Sequence, residues 1–245
     1  MKLRRVEEIA WVDLEGGRAN AMSVDFLTGL EALAAEVADS DAQAAVVTGY
    51  ERFFSAGLDL PTLVQLTRPA LHAFMEDWQR AMLAWFDLPL PVVAAINGHA
   101  IAGGCVLALM CDARIMTETP CKIGLSEAAL GIGLSAVVVE SLRIAVPASS
   151  LATLAIEGRL VDPPTALALG LVDAVAPAAE LAARALARAR ELAQPRAATA
   201  QIKRELRKHA RAAIAADGAL PGWLDTWFSP PAQQRLASAV AKLKR

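Results

Sequence analysis

The chain has little cysteine, almost no net charge, and no stretch of low complexity. Three cysteines among 245 residues cannot staple a disulfide scaffold, and three free thiols suit a reducing compartment. Lysine and arginine number 24 against 26 acidic residues, a formal net charge of −2, so no global basic field exists to recruit nucleic acid. Basic residues gather mainly between Arg184 and Arg211, in helical patterns that read as solvated faces. No internal repeat of the solenoid kind is present. Phosphate-binding fingerprints are missing as well, because no Gly-Lys-Ser/Thr follows the glycine turn at 97–104 and no GxGxxG occurs there. The opening residues, Met1 to Glu8, place acids where a secretory signal has its apolar segment. A cytoplasmic protein is the expectation.

One absence points the other way. The 24 positions between Asp87 and Asp112 contain no Asp, Glu, Lys or Arg, a length sufficient to span a bilayer. Pro89, Pro91, Asn97-Gly98-His99 and Gly103-Gly104 interrupt it, however, and would free backbone groups that lipid cannot satisfy. A buried strand, turn and helix fits better than membrane insertion.

What is present is apolar material: 55% of residues are hydrophobic, too many for a disordered chain and enough for a substantial core. Strand patterns are expected at Ile9 to Leu14, Ala44 to Val47, Val92 to Ile96, Asp112 to Met116, Cys121 to Gly124 and Leu171 to Val175. A helix capped by Ser23 carries Phe26, Leu27, Leu30, Leu33 and Val37 at helical spacing. Tyr50 to Leu60 reads as a loop, and a long helical pattern from Pro61 to Phe86 is expected to break near Pro69. Further helices are expected at Cys105 to Cys111, Ala136 to Ile144, Ser149 to Ile156, Pro164 to Leu169, Ala178 to Leu192 and Pro195 to Asp217. A final amphipathic helix lies in the tail Trp223 to Arg245. Strands alternate with helices until helices take over, the pattern of an α/β core with a helical C-terminal extension.

Two glycine turns each follow a buried strand and precede a helical pattern: Phe54-Ser55-Ala56-Gly57-Leu58-Asp59, and Asn97-Gly98-His99-Ala100-Ile101-Ala102-Gly103-Gly104-Cys105. Glycine lets backbone approach closely, so two such turns could form an anion pocket of main-chain N–H groups, or could be ordinary connections. Ser55 lies in no G-x-S-x-G elbow and beside no evident base. His72, His99 and His209 are scattered, and Cys105, Cys111 and Cys121 lack metal-ligand spacing, so no metal site is expected. Glu127, amid small and apolar residues, is the acid best placed for a raised pKa and proton transfer; a helix-terminal role is the alternative. Asp59 after its turn reads more simply as a helix cap.

These residues carry a family resemblance. Val46-Val47-Thr48-Gly49 with Phe53 to Leu60, Ala95-Ile96-Asn97-Gly98 with Ala102 to Cys105 and Cys111-Asp112, and Gly124 to Glu127 with Leu130-Gly131 resemble three ordered signatures of the crotonase (enoyl-CoA hydratase/isomerase) superfamily. Asn20 to Ser23 and Ala166 to Val172 fit as well. The resemblance implies a crotonase-like spiral of β-β-α turns over 1–194 and a C-terminal helical trimerisation or lid region over 195–245. It implies a homotrimer or a dimer of trimers, and an acyl-CoA thioester as substrate, with coenzyme A entering only as part of that substrate and no separate cofactor.

By the same resemblance, the N–H groups of Leu58 and Gly103 hold the thioester oxygen. Ala56, Gly57, Asp59 and Gly104 belong to the substrate-binding turns, the first of which meets the adenine end of coenzyme A. Trp227 and Phe228 either pack the C-terminal helix or touch the ligand. One departure stands out. Hydratases of the family carry two glutamates, whereas Val106 occupies the first of those positions and only Glu127 remains. That pattern is similar to the family's Δ3,Δ2-enoyl-CoA isomerases, with Glu127 as single base and acid. A hydratase, another reaction on the same thioester such as hydrolysis or decarboxylation, and a non-catalytic acyl-CoA-binding protein are the rival readings. The aliphatic residues around Ala129 to Val139 suggest an apolar acyl tail.

Overall fold

Strands without polar alternation need neighbours covering both faces, and that requirement organises the architecture. The computed structural model describes residues 1–216 and 220–243. The chain opens with a hairpin that the sequence pattern does not announce: β1 (Lys2–Val6) runs antiparallel to β2 (Ile9–Asp13). Its half-exposed, charged Lys-Leu-Arg-Arg suits a sheet edge. The short β3 (Ala21–Met22) leads into α1 (Val24–Asp39), capped by Ser23, whose hydroxyl accepts from the Phe26 N–H at 3.2 Å. All five apolar positions expected on its inner face are buried.

After the wholly buried β4 (Ala44–Thr48), the segment expected to be a loop holds two short strands, β5 (Phe53–Ser55) and β6 (Gly57–Leu58). Two or three residues are too few for alternation to show, and their partners lie far away in sequence. The long helical pattern divides into α2 (Leu60–Leu63) and α3 (Arg68–Phe86), with Pro69 in the first turn of α3, where its missing N–H has no intrahelical partner to lose. The uncharged stretch folds as β7 (Val92–Ile96), β8 (His99–Ile101) and α4 (Gly103–Leu109). Among the described residues no helix is long and apolar enough to cross a membrane.

Then follow β9 (Ala113–Thr117), β10 (Ile123–Gly124), α5 (Glu127–Leu130), α6 (Ala136–Ala145), α7 (Leu151–Ala155), α8 (Pro163–Ala168) and β11 (Ala174–Ala176). Strand β11 begins later than expected because the Leu171 and Val172 amides bond back to Ala166 O and close α8. Helices α9 (Leu181–Leu192), α10 (Arg196–Ala216), α11 (Pro221–Trp227) and α12 (Pro230–Leu243) complete the chain. Asp217, expected at the end of α10, and Lys244 and Arg245 lie outside the described residues.

The large sheet has the order β1-β2-β4-β7-β9-β11 and is parallel except for the β1–β2 hairpin. A second sheet, β10-β8-β5, is parallel throughout. Each turn of chain lays one strand in the large sheet and the next in the small one: β4 then β5, β7 then β8, β9 then β10. Helices close the turns, so the path is a β-β-α spiral. Helix α9 covers the outer face of the large sheet through Leu181, Ala185 and Ala189. The inner face and the small sheet enclose the main core.

Helix α10 corrects one expectation. Its basic residues are not all solvated: Lys203 and Arg207 are buried and both grip Asp112, at 2.6 Å and 2.7 Å. Burial holds the Lys203 pKa down, with Asp112 pulling the other way. Asp112 also accepts from the Val92 amide at 2.8 Å, so one carboxylate ties α10 to the centre of the large sheet.

Candidate active site

The two glycine turns meet backbone to backbone. Gly57 has φ +80°, and a Cβ there would stand 2.6 Å from Ile101 O and 2.9 Å from Gly103 N. At Gly104 a Cβ would stand 2.2 Å from Ser55 O. No larger residue fits at either position without moving the neighbouring chain. The Gly57 amide donates to Ser55 Oγ at 3.1 Å and the Asp59 amide to Met22 O at 3.3 Å. Successive strand amides point in opposite directions, which turns the Leu58 N–H the other way.

Gly103 begins α4, where the first intrahelical donor is Val106, bonding Ala102 O at 2.9 Å. The Gly103 N–H therefore has no partner within its own helix and sits at the positive end of the dipole. Ala102, just before it, has φ +49°, a strained value for a residue with a side chain, on the order of 1–3 kcal/mol. The bond from its amide to Gly124 O at 2.8 Å holds it there.

Beside these turns lies a partly enclosed cavity with a largely apolar lining. Ala56, Leu58, Gly103, Glu127 and Trp227 all line it. Glu127 is the first residue of α5, which fixes its carboxyl against the cavity wall. Its Oε2 is buried and has no hydrogen-bond partner. Desolvation pushes its pKa up to about 7, against a smaller opposing effect from the amides of Glu127 and Ser126. The Cys105 thiol is pushed up too, by burial first and by the charge of Glu127 second. Such a carboxyl can exchange a proton near neutrality.

Trp78 Nε1 and Ser135 Oγ share the condition of Glu127 Oε2. These three atoms are the buried side-chain nitrogens and oxygens that lack a partner among the described residues, and all three belong to residues lining this one cavity. Leaving such a group unpaired costs about 1–3 kcal/mol. Sequence pattern alone does not single out Trp78 or Ser135. Trp78 falls on the buried stripe of α3 with Leu71, Met75 and Trp85, and Ser135 occupies the N-cap position of α6 without making a cap bond. The one available signal was general: a buried tryptophan N–H ordinarily finds a partner.

Other sequence candidates take quieter places. Gly57 and Gly104 stand behind the cavity wall, holding the turns together. Asp59 occupies the N-cap position of α2, its carboxylate accepting from Thr62 Oγ1 at 2.6 Å, and it does not line the cavity. Phe228 also lies off the lining, with the Arg68 guanidinium 5.8 Å from its ring centre. Trp227 stacks on Trp223 at 5.1 Å, and both face the cavity from α11. Ser55 is engaged by Asn20 O at 2.7 Å and by the Gly57 amide, and His99 Nδ1 accepts from the Lys122 amide at 3.1 Å. Val106 is fully buried in the core. No second carboxylate lines the cavity, and no group of three or more His, Cys, Asp or Glu could hold a metal among the described residues.

Comparison with known proteins gives this arrangement its lineage. The sequence profile described as enoyl-CoA hydratase/isomerase matches residues 4–220. The chain belongs to that family. A putative enoyl-CoA hydratase of Thermus thermophilus is 35% identical over 196 residues, covering 77% of this chain and 76% of the relative. Human mitochondrial enoyl-CoA delta isomerase 1 is 31% identical over 182 residues, covering 73% of this chain and 60% of that protein. The crystal structure of human mitochondrial delta3-delta2-enoyl-CoA isomerase superimposes with a TM-score of 0.91 at 28% identity, covering 97% of this chain and 94% of that one. The crotonase fold and membership of the hydratase/isomerase family thus stand together, with relatives named for both reactions.

Proposed function

We propose that this family member isomerises 3-enoyl-CoA to trans-2-enoyl-CoA, with Glu127 as the single base and acid. The observation that carries the reading is a lone carboxylate in an apolar cavity, its Oε2 unpartnered and its pKa near 7. Ionised Glu127 removes a proton from C2. The released electron pair moves toward the thioester carbonyl, whose oxygen gains the negative charge of a dienolate. The N–H groups of Leu58 and Gly103 receive that oxygen; one such donor typically contributes on the order of 3 kcal/mol to the transition state. The pair then flows back, C4 takes the proton from Glu127, and the double bond moves from C3–C4 to C2–C3. No atom is added. Hydration would need a held and polarised water, and buried Val106 offers nothing to hold one.

In this reading Ala56, Gly57 and Asp59 face the coenzyme end of the substrate, Gly104 supports the oxygen cradle, and Trp227, flanked by Phe228, covers the acyl group from α11. The molecule works without a separate cofactor, in the cytoplasm, as a homotrimer or a dimer of trimers. Incubation with 3-hexenoyl-CoA and, separately, with crotonyl-CoA tests the reaction. Formation of trans-2-hexenoyl-CoA with little 3-hydroxybutyryl-CoA is expected. Faster hydration of crotonyl-CoA than isomerisation would overturn it.

A further inference from the structure

The walls of the cavity differ in how far water reaches them. Ala56, Leu58, Ser126 and Glu127, at the proposed reacting end, are half-buried. Met75, Trp78, Val138, Trp223 and Trp227 line the same cavity and are each 7% exposed or less. The first set forms the mouth, and the second closes the space behind it. Three of the five tryptophans in the chain stand in this closed part, the bulkiest side chains available for ending a pocket.

Two of them are held in place from both sides. Trp223 and Trp227 stack with ring centres 5.1 Å apart and planes inclined by 28°. Thr226 Oγ1, on the helix turn between them, accepts from the Gly133 amide at 2.9 Å and donates to Trp223 O at 2.7 Å. Trp227 O accepts from Gln233 Nε2 at 2.7 Å. Helix α11 is thus bonded to the segment after α5 and to α12, and buried rings packed at interior density resist displacement by an added methylene. The space left free is about 90 Å³. A protein cavity of about 150 Å³ holds one benzene, roughly 25 Å³ for each carbon, so about four carbons fit here.

We propose that Trp223 and Trp227 set the length of acyl chain this site takes, and that its substrates are short-chain thioesters of about six carbons or fewer. C1 and C2 lie at the half-buried mouth beside Glu127, and the remaining carbons fill the enclosed space. A longer chain meets tryptophan rings where its tail would go. The proposal rests on the acyl-CoA reading above and narrows its substrate class.

Binding of saturated thioesters tests it independently of turnover. Calorimetry compares butanoyl-, hexanoyl-, octanoyl- and decanoyl-CoA. In an open apolar groove the four methylenes added between hexanoyl and decanoyl would tighten binding roughly a hundredfold or more. Here decanoyl-CoA should bind less than tenfold more tightly than hexanoyl-CoA. The decanoyl-to-hexanoyl affinity ratio should rise at least tenfold in one or more of Trp223→Ala, Trp227→Ala and the milder Trp223→Leu and Trp227→Leu, with butanoyl-CoA affinity retained. A tenfold or greater preference for decanoyl-CoA in the wild type, or no rise in any variant that still binds butanoyl-CoA, would overturn the proposal. The wild-type series decides by itself should no variant fold. Failure of 3-hexenoyl-CoA to isomerise, with the chain-length limit intact, would instead remove the isomerase reading and leave the limit standing; no binding of any thioester would remove the acyl-CoA reading and the proposal with it.

Discussion

Glu127 carries two consequences that can be measured separately. As a base it must be ionised, so kcat/KM for isomerisation should rise with pH through a single ionisation near 7 and level off above it; a flat profile from pH 5.5 to 8.5 would exclude this carboxyl as the base. Its folded pKa lies above the ordinary 4.5, so below that value both states are protonated and nothing is lost. Between 4.5 and about 7 the unfolded carboxyl ionises while the folded one keeps its proton, and stability falls as pH rises across that window. Glu127→Gln cannot ionise. It should therefore be more stable than wild type at pH 8, by up to about 3 kcal/mol, with the gap closing by pH 4 in denaturant titrations. Glu127 was legible in the sequence because an acid among small apolar residues is anomalous on its face. Trp78 and Ser135 were not, because a tryptophan on an apolar helical stripe and a serine before a helix are what packing and capping ordinarily produce.

At the scale of elements, the site depends on two turns touching. In Gly57→Ala the new methyl would press on Ile101 O and Gly103 N at a left-handed φ, displacing both proposed oxygen donors. A loss of at least about 100-fold in kcat is expected, with a smaller effect on thioester affinity, by steady-state kinetics and calorimetry. Ser23→Ala is the contrasting case. It removes the cap of α1 without touching a residue that lines the cavity, and should lower stability by about 1 kcal/mol with kcat/KM nearly unchanged. The sequence announced α1 and β7 clearly, since apolar period and length agree there. It hid β5 and β6, whose two or three residues acquire strand character only by pairing with β8 and β3. The same brevity explains why the glycine turns could be read equally as plain connections: their meeting is a fact of the spiral, not of either segment.

At the scale of the whole molecule, Asp112 binds α10 to the sheet. Asp112→Ala would leave Lys203 and Arg207 buried without their carboxylate, and a loss of about 3–5 kcal/mol in chemical denaturation is expected. The outer surface carries apolar side chains that a lone subunit leaves wet: Ile156 is 77% exposed, and Leu206 on α10 is 71% exposed with Ile202 one turn away. Such side chains suit the proposed trimer. Ile156→Asp combined with Leu206→Asp should shift the mass seen by light scattering toward the monomer, while an unchanged mass would place the contact elsewhere. Periodicity alone could not show that Lys203 and Arg207 face Asp112, far away in sequence, which is why the buried cations of α10 read as solvated. The most direct test of the lone-carboxylate mechanism is the turnover of 3-hexenoyl-CoA by Glu127→Gln. A fall of about 10²–10⁴ in kcat with thioester binding retained is the expected result; turnover equal to wild type would contradict the mechanism outright.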